Sequence, residues 1–377
     1  MEPRTSGAIM EHFQALSEPR NHPKKNEHKF MDILVIAICG AVCGADDWVA
    51  ISNFGKAKME WLKTFLDLPN GIPSHDTFNR VFSMINPTEF QACFVSWIRS
   101  VAQITDGEVI PIDGKKLRRS YDSKSNTAAI HMVSAWAGSN RLILGQVKTD
   151  EKSNEITAIP ELLRVLDIRG CIVTIDAMGC QKKIAGQIIE QDGDYVLGLK
   201  GNQSSLLNAV EDIFFAVEKE QLDGPDFDSY HTEENGHGRH EVRSYFTTSL
   251  VDQLPNIQEW PGLKTVGAVL SEVTKNGKTN MECRYYIGSI ENNAEFFAKA
   301  VRSHWGIENS CHWVLDVAFR EDDSRVRKDH GPENLAVLRH IALNLIREEK
   351  TVKLGVKNKR LKAGWDNEYM AEVLFGR

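Results

Sequence analysis

The sequence predicts an α/β chain: a mixed sheet flanked by helices, preceded by a helical segment and interrupted by a β-rich insertion. Three observations predict it. Residues 10–104 carry apolar side chains at helical spacing, broken at Gly71-Ile72-Pro73. From Gly107, short apolar runs alternate with helical patterns in the order β-β-β-α-β-α-β. Between 205 and 290, long strand-like runs replace that rhythm, and helical periodicity returns at Glu295.

Each element has a local reason. The most apolar run, 31–45, is shorter than the roughly 20 residues a membrane span needs, and reads as a buried helix. Trp48, Ile51, Phe54, Trp61, Phe65 and Leu66 recur at roughly helical spacing. Ser74 or Asp76 caps the next helix, and Thr88 caps another that runs to Ile104. Residues 108–112, 131–137 and 142–148 read as strands, with a turn at Gly138-Ser139-Asn140. Residues 155–166 and 181–191 are helical, and 171–175 and 195–199 are strands. In the insertion a helix over 206–219 precedes a polar stretch and strand-like runs at 239–248, 265–273 and 281–288. Asn276-Gly277 marks a hairpin, because a type I′ turn needs positive φ at both central residues. A helix to Phe319 and an amphipathic helix over 335–346 close the pattern.

Composition narrows the function. The chain has 377 residues, 42% hydrophobic and 26% charged, ordinary for two or three folded units. No basic segment followed by an apolar one opens the chain, so no export signal is expected. Seven dispersed cysteines without a CxxC pair fit free thiols in a reducing cytoplasm. The net charge of −7 argues against a protein that coats nucleic acid, so any DNA contact must rest on a local patch. The candidates are Lys24, Lys25 and Lys29; Lys115, Lys116, Arg118 and Arg119; and Lys353, Lys357, Lys359 and Arg360. Taken alone, each reads as solvated surface. The second differs because it follows Asp113 directly.

Asp113 and Asp176 each stand where a short apolar strand ends. Either alone reads as a turn residue. Two such acids on neighbouring strands repel each other unless a cation lies between them, and the βββαβαβ pattern favours that second reading. Glu308 lies in His304-Trp305-Gly306-Ile307-Glu308-Asn309-Ser310-Cys311-His312. On a regular helix His304, Glu308 and His312 share one face, flanked by Val301, Cys311 and Leu315. A carboxylate on that apolar face needs either a metal or a salt bridge to one of the histidines. Trp305 occupies the place where a zinc-protease helix carries its Glu, which disfavours zinc hydrolysis. Three carboxylates suit Mg²⁺ or Mn²⁺, with two ions about 3.5–4 Å apart for phosphodiester chemistry. Lys115, Lys116, Arg118 and Arg119 would set positive charge where a phosphate backbone approaches. Glu321-Asp322-Asp323 reads as a solvated turn, since consecutive side chains point in different directions. No phosphate-binding loop, dinucleotide fingerprint or serine-hydrolase elbow is present.

Six segments together resemble a known family: Gly71-Ile-Pro-Ser-His-Asp-Thr77, Ile112-Asp-Gly-Lys115, residues 149–160, Asp176-Ala-Met-Gly-Cys-Gln181, Lys200-Gly-Asn-Gln203 and His304-Trp-Gly-Ile-Glu-Asn309. Over nearly its whole length the chain resembles the H-repeat-associated proteins of Rhs elements and related DDE-class insertion-sequence transposases. The resemblance implies a ribonuclease H-like core with Asp113, Asp176 and Glu308 as a catalytic triad that holds Mg²⁺ or Mn²⁺. It also implies cleavage of transposon ends and joining of the 3′-hydroxyl to target DNA, with double-stranded DNA as partner, a homodimer in the synaptic complex, a cytoplasmic location and no membrane. The expected division is a helical transposase-associated domain at 1–104, a catalytic domain at 105–204 and 291–346, the insertion at 205–290 and a basic tail at 347–377. Relatives often carry Tyr, Arg and Lys around the helical Glu, where this chain has Val301, His304 and Leu315. The resemblance therefore gives His304 the Arg's phosphate contact and leaves Lys200, Asn202 and Arg302 as further DNA contacts. Two alternatives stand beside it: a domesticated or inactive relative that binds DNA without cutting, and a simple metal nuclease.

Overall fold

The structure, a computed structural model, describes residues 8–21, 26–121, 129–149, 155–220, 226–236 and 238–376. Lys24, Lys25 and positions 150–154 of the 149–160 motif lie outside the described residues. The N-terminal helices are α1 (Ala8–Phe13), α2 (Phe30–Val42), α3 (Trp48–Ala57), α4 (Met59–Leu62), α5 (His75–Met84) and α6 (Pro87–Val101). As the apolar run predicts, α2 is buried around its circumference. Ser74 caps α5 by accepting from the Thr77 amide, while Asn86, not Thr88, caps α6, with Pro87 in the first turn. Among the described residues no helix is long and apolar enough to cross a membrane.

The sheet elements follow: β1 (Val109–Lys116), β2 (His131–Ala137), β3 (Leu142–Lys148), α7 (Glu155–Val165), β4 (Ile172–Ile175), α8 (Lys182–Glu190), β5 (Asp194–Leu199) and α9 (Ser204–Glu220). Their spatial order is β3-β2-β1-β4-β5. β2 runs antiparallel to β1 and β3, whereas β1, β4 and β5 are parallel. This is the ribonuclease H-like arrangement. The insertion strands β6 (Phe227–Gly236), β7 (Arg239–Thr248), β8 (Thr265–Lys275) and β9 (Lys278–Gly288) extend the same sheet, because β9 pairs antiparallel with β5. The result is one nine-stranded mixed sheet. At the β8–β9 hairpin both Asn276 (φ 51°) and Gly277 (φ 73°) are left-handed, as the turn chemistry requires. The polar stretch before β7 is itself a strand. β6 lies at the sheet's edge with most of its residues exposed, so its sequence carries no apolar alternation.

Strand alternation sorts the two faces. Ile110, Ile112, Val173, Ile175 and Leu197 join the main core, which also contains α7 and α8 side chains. Val109, Ile172 and Val196 point the other way and pack with Phe297, Ala298 and Val301 of α10 (Ala294–Ile307). Asp113 has the parity of Val109, and Asp176 the parity of Ile172. Both acids therefore belong to the face that α10 covers.

The helix expected from Glu295 to Phe319 is continuous but irregular. α10 passes into a π-helical turn at Glu308–His312 and resumes as α11 (Trp313–Phe319). Next come α12 (Gly331–Glu348), α13 (Val356–Trp365) and α14 (Asn367–Phe375). α12 is not amphipathic in place: apart from Glu333 it is buried from Gly331 to Ile346, against α2, α5, α6 and β3. Its polar residues find tertiary partners; Asn334 donates to the Phe82 and Ile85 carbonyls, and Asn344 to that of Ile143. The region expected as a basic tail forms α13 and α14. Its Lys359 and Arg360 are buried against Glu349 and Asp46.

Candidate active site

The register Ile112↔Ile175 makes Asp113 and Asp176 the next neighbours on parallel strands, roughly 5 Å apart along the backbone. β4 ends at Ile175, while β1 runs on past Asp113 to pair with β2. Asp113 is thus held within a paired strand rather than in a turn. Asp176 opens the turn, and its carboxylate accepts from the Met178 and Gly179 amides (3.0 and 3.4 Å). Gly198 of β5 leaves room for that turn: a β-carbon there would lie 3.2 Å from the Ala177 nitrogen. Asn202 ties the turn down by donating to the Ala177 carbonyl (2.7 Å).

The helix brings the third acid. Glu308 and Asp113 flank His312, whose Nδ1 is 3.7 Å and 3.5 Å from their carboxylates. The ligand atoms of these three residues all lie within 4.8 Å of one another. Asp113, Asp176 and Glu308 line one cleft of about 630 Å³, with His304, Trp305 and Lys200 on its walls. Burial pushes the Asp113 carboxyl up to about 6, opposed by His312 and aided by Glu308. Glu308, more exposed, is held below the ordinary carboxylate range by His312.

Lys115 does not face the cleft. Its ammonium lies 2.5 Å from Asp316 and 2.9 Å from Glu321, and donates to the His312 carbonyl at 3.4 Å. Arg347 donates to the Ser310 carbonyl. A π-turn displaces carbonyls from the regular ladder, and here two cations receive them. Lys115 therefore couples β1, two positions after Asp113, to the turn that carries Glu308. Glu321 is not the solvated turn residue its neighbours suggest. It is 3% exposed, and Lys115, Arg339 and His340 hold its carboxyl low against the opposing effect of burial. Asp322 and Asp323 pair with Arg118 (3.2 Å) and Arg119 (3.5 Å), so this basic run is largely matched by acids. Lys116 is exposed.

The remaining expected contacts divide. Lys200 is exposed on the cleft's rim. His304 shares a 3.0 Å hydrogen bond with Thr174, and burial holds its ring below the ordinary histidine range despite Asp176. Its ring thus stands on the cleft wall, tied to β4 through Thr174. Arg302 is turned to Glu234 of β6 (2.9 and 3.1 Å), away from the acids. Sequence reasoning did not single out Arg284, whose guanidinium stacks 4.8 Å above the Trp305 ring at the cleft.

Known proteins place the chain. Residues 10–98 match a family model described as DDE_Tnp_1-associated, and residues 98–345 one described as Transposase DDE domain. YhhI of Escherichia coli (strain K12), named as an H repeat-associated transposase candidate, is 44% identical over 375 residues, 98% of each chain. YncI of Escherichia coli O157:H7, also named as a transposase candidate, is 43% identical over 97% of this chain and 94% of its own. A solved piggyBac transposase synaptic complex with hairpin DNA aligns with a TM-score of 0.42 and 9% identity, over 98% of this chain and 77% of that one.

Proposed function

The chain belongs to the transposase family defined by the DDE domain, and on that premise we propose that it cuts DNA at the ends of a mobile element and joins the freed 3′-hydroxyl to target DNA. The observation that carries this is the meeting of Asp113 from β1 and Glu308 from the π-turn at one cleft, with Asp176 lining it one residue past the end of β4.

The donor set suits a hard divalent cation such as Mg²⁺ or Mn²⁺. Two facing carboxylates, one of them pushed up to about 6, form an anionic cluster that a cation would relieve. Asp113, Asp176 and Glu308 would hold the metal, which when bound activates the attacking water or 3′-hydroxyl and stabilises the leaving oxygen. The chain itself supplies rigidity. β1 carries Asp113, the turn that follows β4 carries Asp176, and Lys115 locks the helix that presents the third acid. Lys200 sets a positive charge on the rim for the phosphate backbone, and Trp305 offers an exposed ring against which a base can stack. Transposon ends are held by a homodimer.

The test uses end-labelled DNA from the flanks of the reading frame, a target plasmid and Mg²⁺ or Mn²⁺. The proposal predicts nicks at fixed positions and labelled end joined to plasmid. Cleavage without fixed ends or joining would make the protein a simple nuclease. A mobility shift with no product would make it a non-cutting DNA binder.

A further inference from the structure

We propose that His312 is itself a metal donor, so that the cation shared by Asp113 and Glu308 is held by two carboxylate oxygens and one imidazole nitrogen. The inference rests on reading this cleft as a metal centre, and adds to the three carboxylates a residue of a different chemical kind.

His312 is 5% exposed, and its Nδ1 points between the two carboxylates at 3.5 and 3.7 Å. These separations exceed the usual 2.7–3.2 Å of an N–H···O hydrogen bond. They are somewhat wider than the spacing of neighbouring donors on one ion, about 3 Å for bonds of about 2.1 Å, so the three donors need only draw in slightly to share a cation. Among the described residues the other ring nitrogen, Nε2, is buried without a hydrogen-bond partner. A buried ring whose Nδ1 faces two carboxylates at once is placed where a ligand would be.

The backbone supports the same conclusion. The π-turn spans Glu308 to His312, so both residues are presented by the one irregular turn of the helix. Lys115 and Arg347 hold two of its carbonyls, which fixes His312 from the backbone side. Asp176 uses one carboxylate oxygen, Oδ1, on the turn amides at Met178 and Gly179; it lies outside the close cluster and keeps Oδ2 for the ion. One cation position is thus bounded by Asp113, Glu308 and His312, and Asp176 lines the same cleft. A nitrogen donor shifts preference toward Mn²⁺, since imidazole suits transition metals and Mg²⁺ favours oxygen.

The experiment is pulsed electron paramagnetic resonance on the full-length protein loaded with Mn²⁺ alone. We expect a directly bound ¹⁴N signal that changes to the ¹⁵N pattern when histidine is ¹⁵N-labelled. It should persist in His304→Ala and vanish in His312→Ala, whose Mn²⁺ affinity should fall roughly 10–100-fold, with a smaller loss for Mg²⁺. If His312→Ala does not fold, His312→Gln, which keeps most of the side chain's bulk, takes its place, and His131→Ala joins His304→Ala as a variant in which the signal should persist. Mn²⁺ bound through Asp113 and Glu308 without nitrogen coupling would overturn the inference and leave the carboxylate centre standing. A nitrogen signal that survives His312→Ala would overturn it too. Absence of Mn²⁺ binding by the wild type would overturn both the inference and the metal reading beneath it.

Discussion

Lys115→Met removes the cation at the centre of a buried ionic cluster. The Lys115 side chain is 12% exposed and that of Glu321 2%, and their charged atoms are 2.9 Å apart. Without the ammonium, Glu321 keeps only Arg339, 4.0 Å away, as a paired cation among the described residues. Breaking a buried pair by deleting one partner costs about 3–5 kcal/mol. Asp316 is about a third exposed, so its share of the loss is screened by solvent. Unfolding entropy near 2.1 cal/mol/K per residue gives a 377-residue chain about 0.8 kcal/mol/K if it unfolds as one unit, so about 4 kcal/mol lowers Tm by roughly 5 °C. Adding Glu321→Gln removes the stranded charge and should return part of the loss, with a coupling of at least about 1.5 kcal/mol. Calorimetry and urea unfolding of the four proteins in this cycle give the numbers. A Lys115→Met protein within about 0.5 kcal/mol of wild type, or strictly additive changes, would show that Lys115 is a solvated lysine and refute the coupling of β1 to the π-turn.

Gly198→Val should push the Asp176 turn outward, since even a β-carbon would stand 3.2 Å from the Ala177 nitrogen. Metal-dependent cleavage should fall about 10²-fold or more with the fold retained; unchanged single-turnover rates would contradict this. Gly114→Ala places a methyl group against the Glu155 carboxylate and the His131 ring, which are paired at 2.9 Å beside Asp113. It should lower Mn²⁺ affinity, measured by calorimetric titration, and an unaltered affinity would show that β1 tolerates the shift. The Glu349 carboxyl is opposed by burial, yet Thr351, Tyr369 and Lys359 hold it down at about 2 against an ordinary 4.5. Its folded value is depressed, so its stabilisation is complete above about 4.5 and is lost as pH falls through about 2. The stability gap between wild type and Glu349→Gln should therefore close across that window in urea titrations; a gap independent of pH would refute the assignment.

The parts of the molecule visible in the sequence are those set by local pattern. The apolar runs that end in Asp113 and Asp176 announce two buried strands, and their alternation puts both acids on one face. Asn276-Gly277 announces its hairpin because few other residues accept two positive φ angles in succession. What escapes is set by tertiary partners. Lys115 reads as one of four surface cations because Asp316 and Glu321 lie some two hundred positions downstream. Glu321 reads as solvated for the reciprocal reason. α12 reads as amphipathic because Asn334, Arg339, His340 and Asn344 are polar, yet all four are buried among partners on other elements. The π-turn is a subtler case. Helical phase groups His304, Glu308 and His312 on one face, but in the fold His304 turns to Thr174 while His312 turns to the acids. Nothing in residue type marks where a helix widens by one residue.

The central claim is that Asp113 and Glu308, with Asp176 beside them, form a metal-dependent DNA-cutting site. Its most direct test is single-turnover cleavage of the flanking DNA in Mn²⁺ by wild type and by Asp113→Asn, a change that keeps the side chain's shape and removes its charge. The account predicts wild-type cleavage that EDTA abolishes, and a rate at least about 10³-fold lower in the variant, in line with the loss of one essential charged group. Equal cleavage by the two proteins would contradict it.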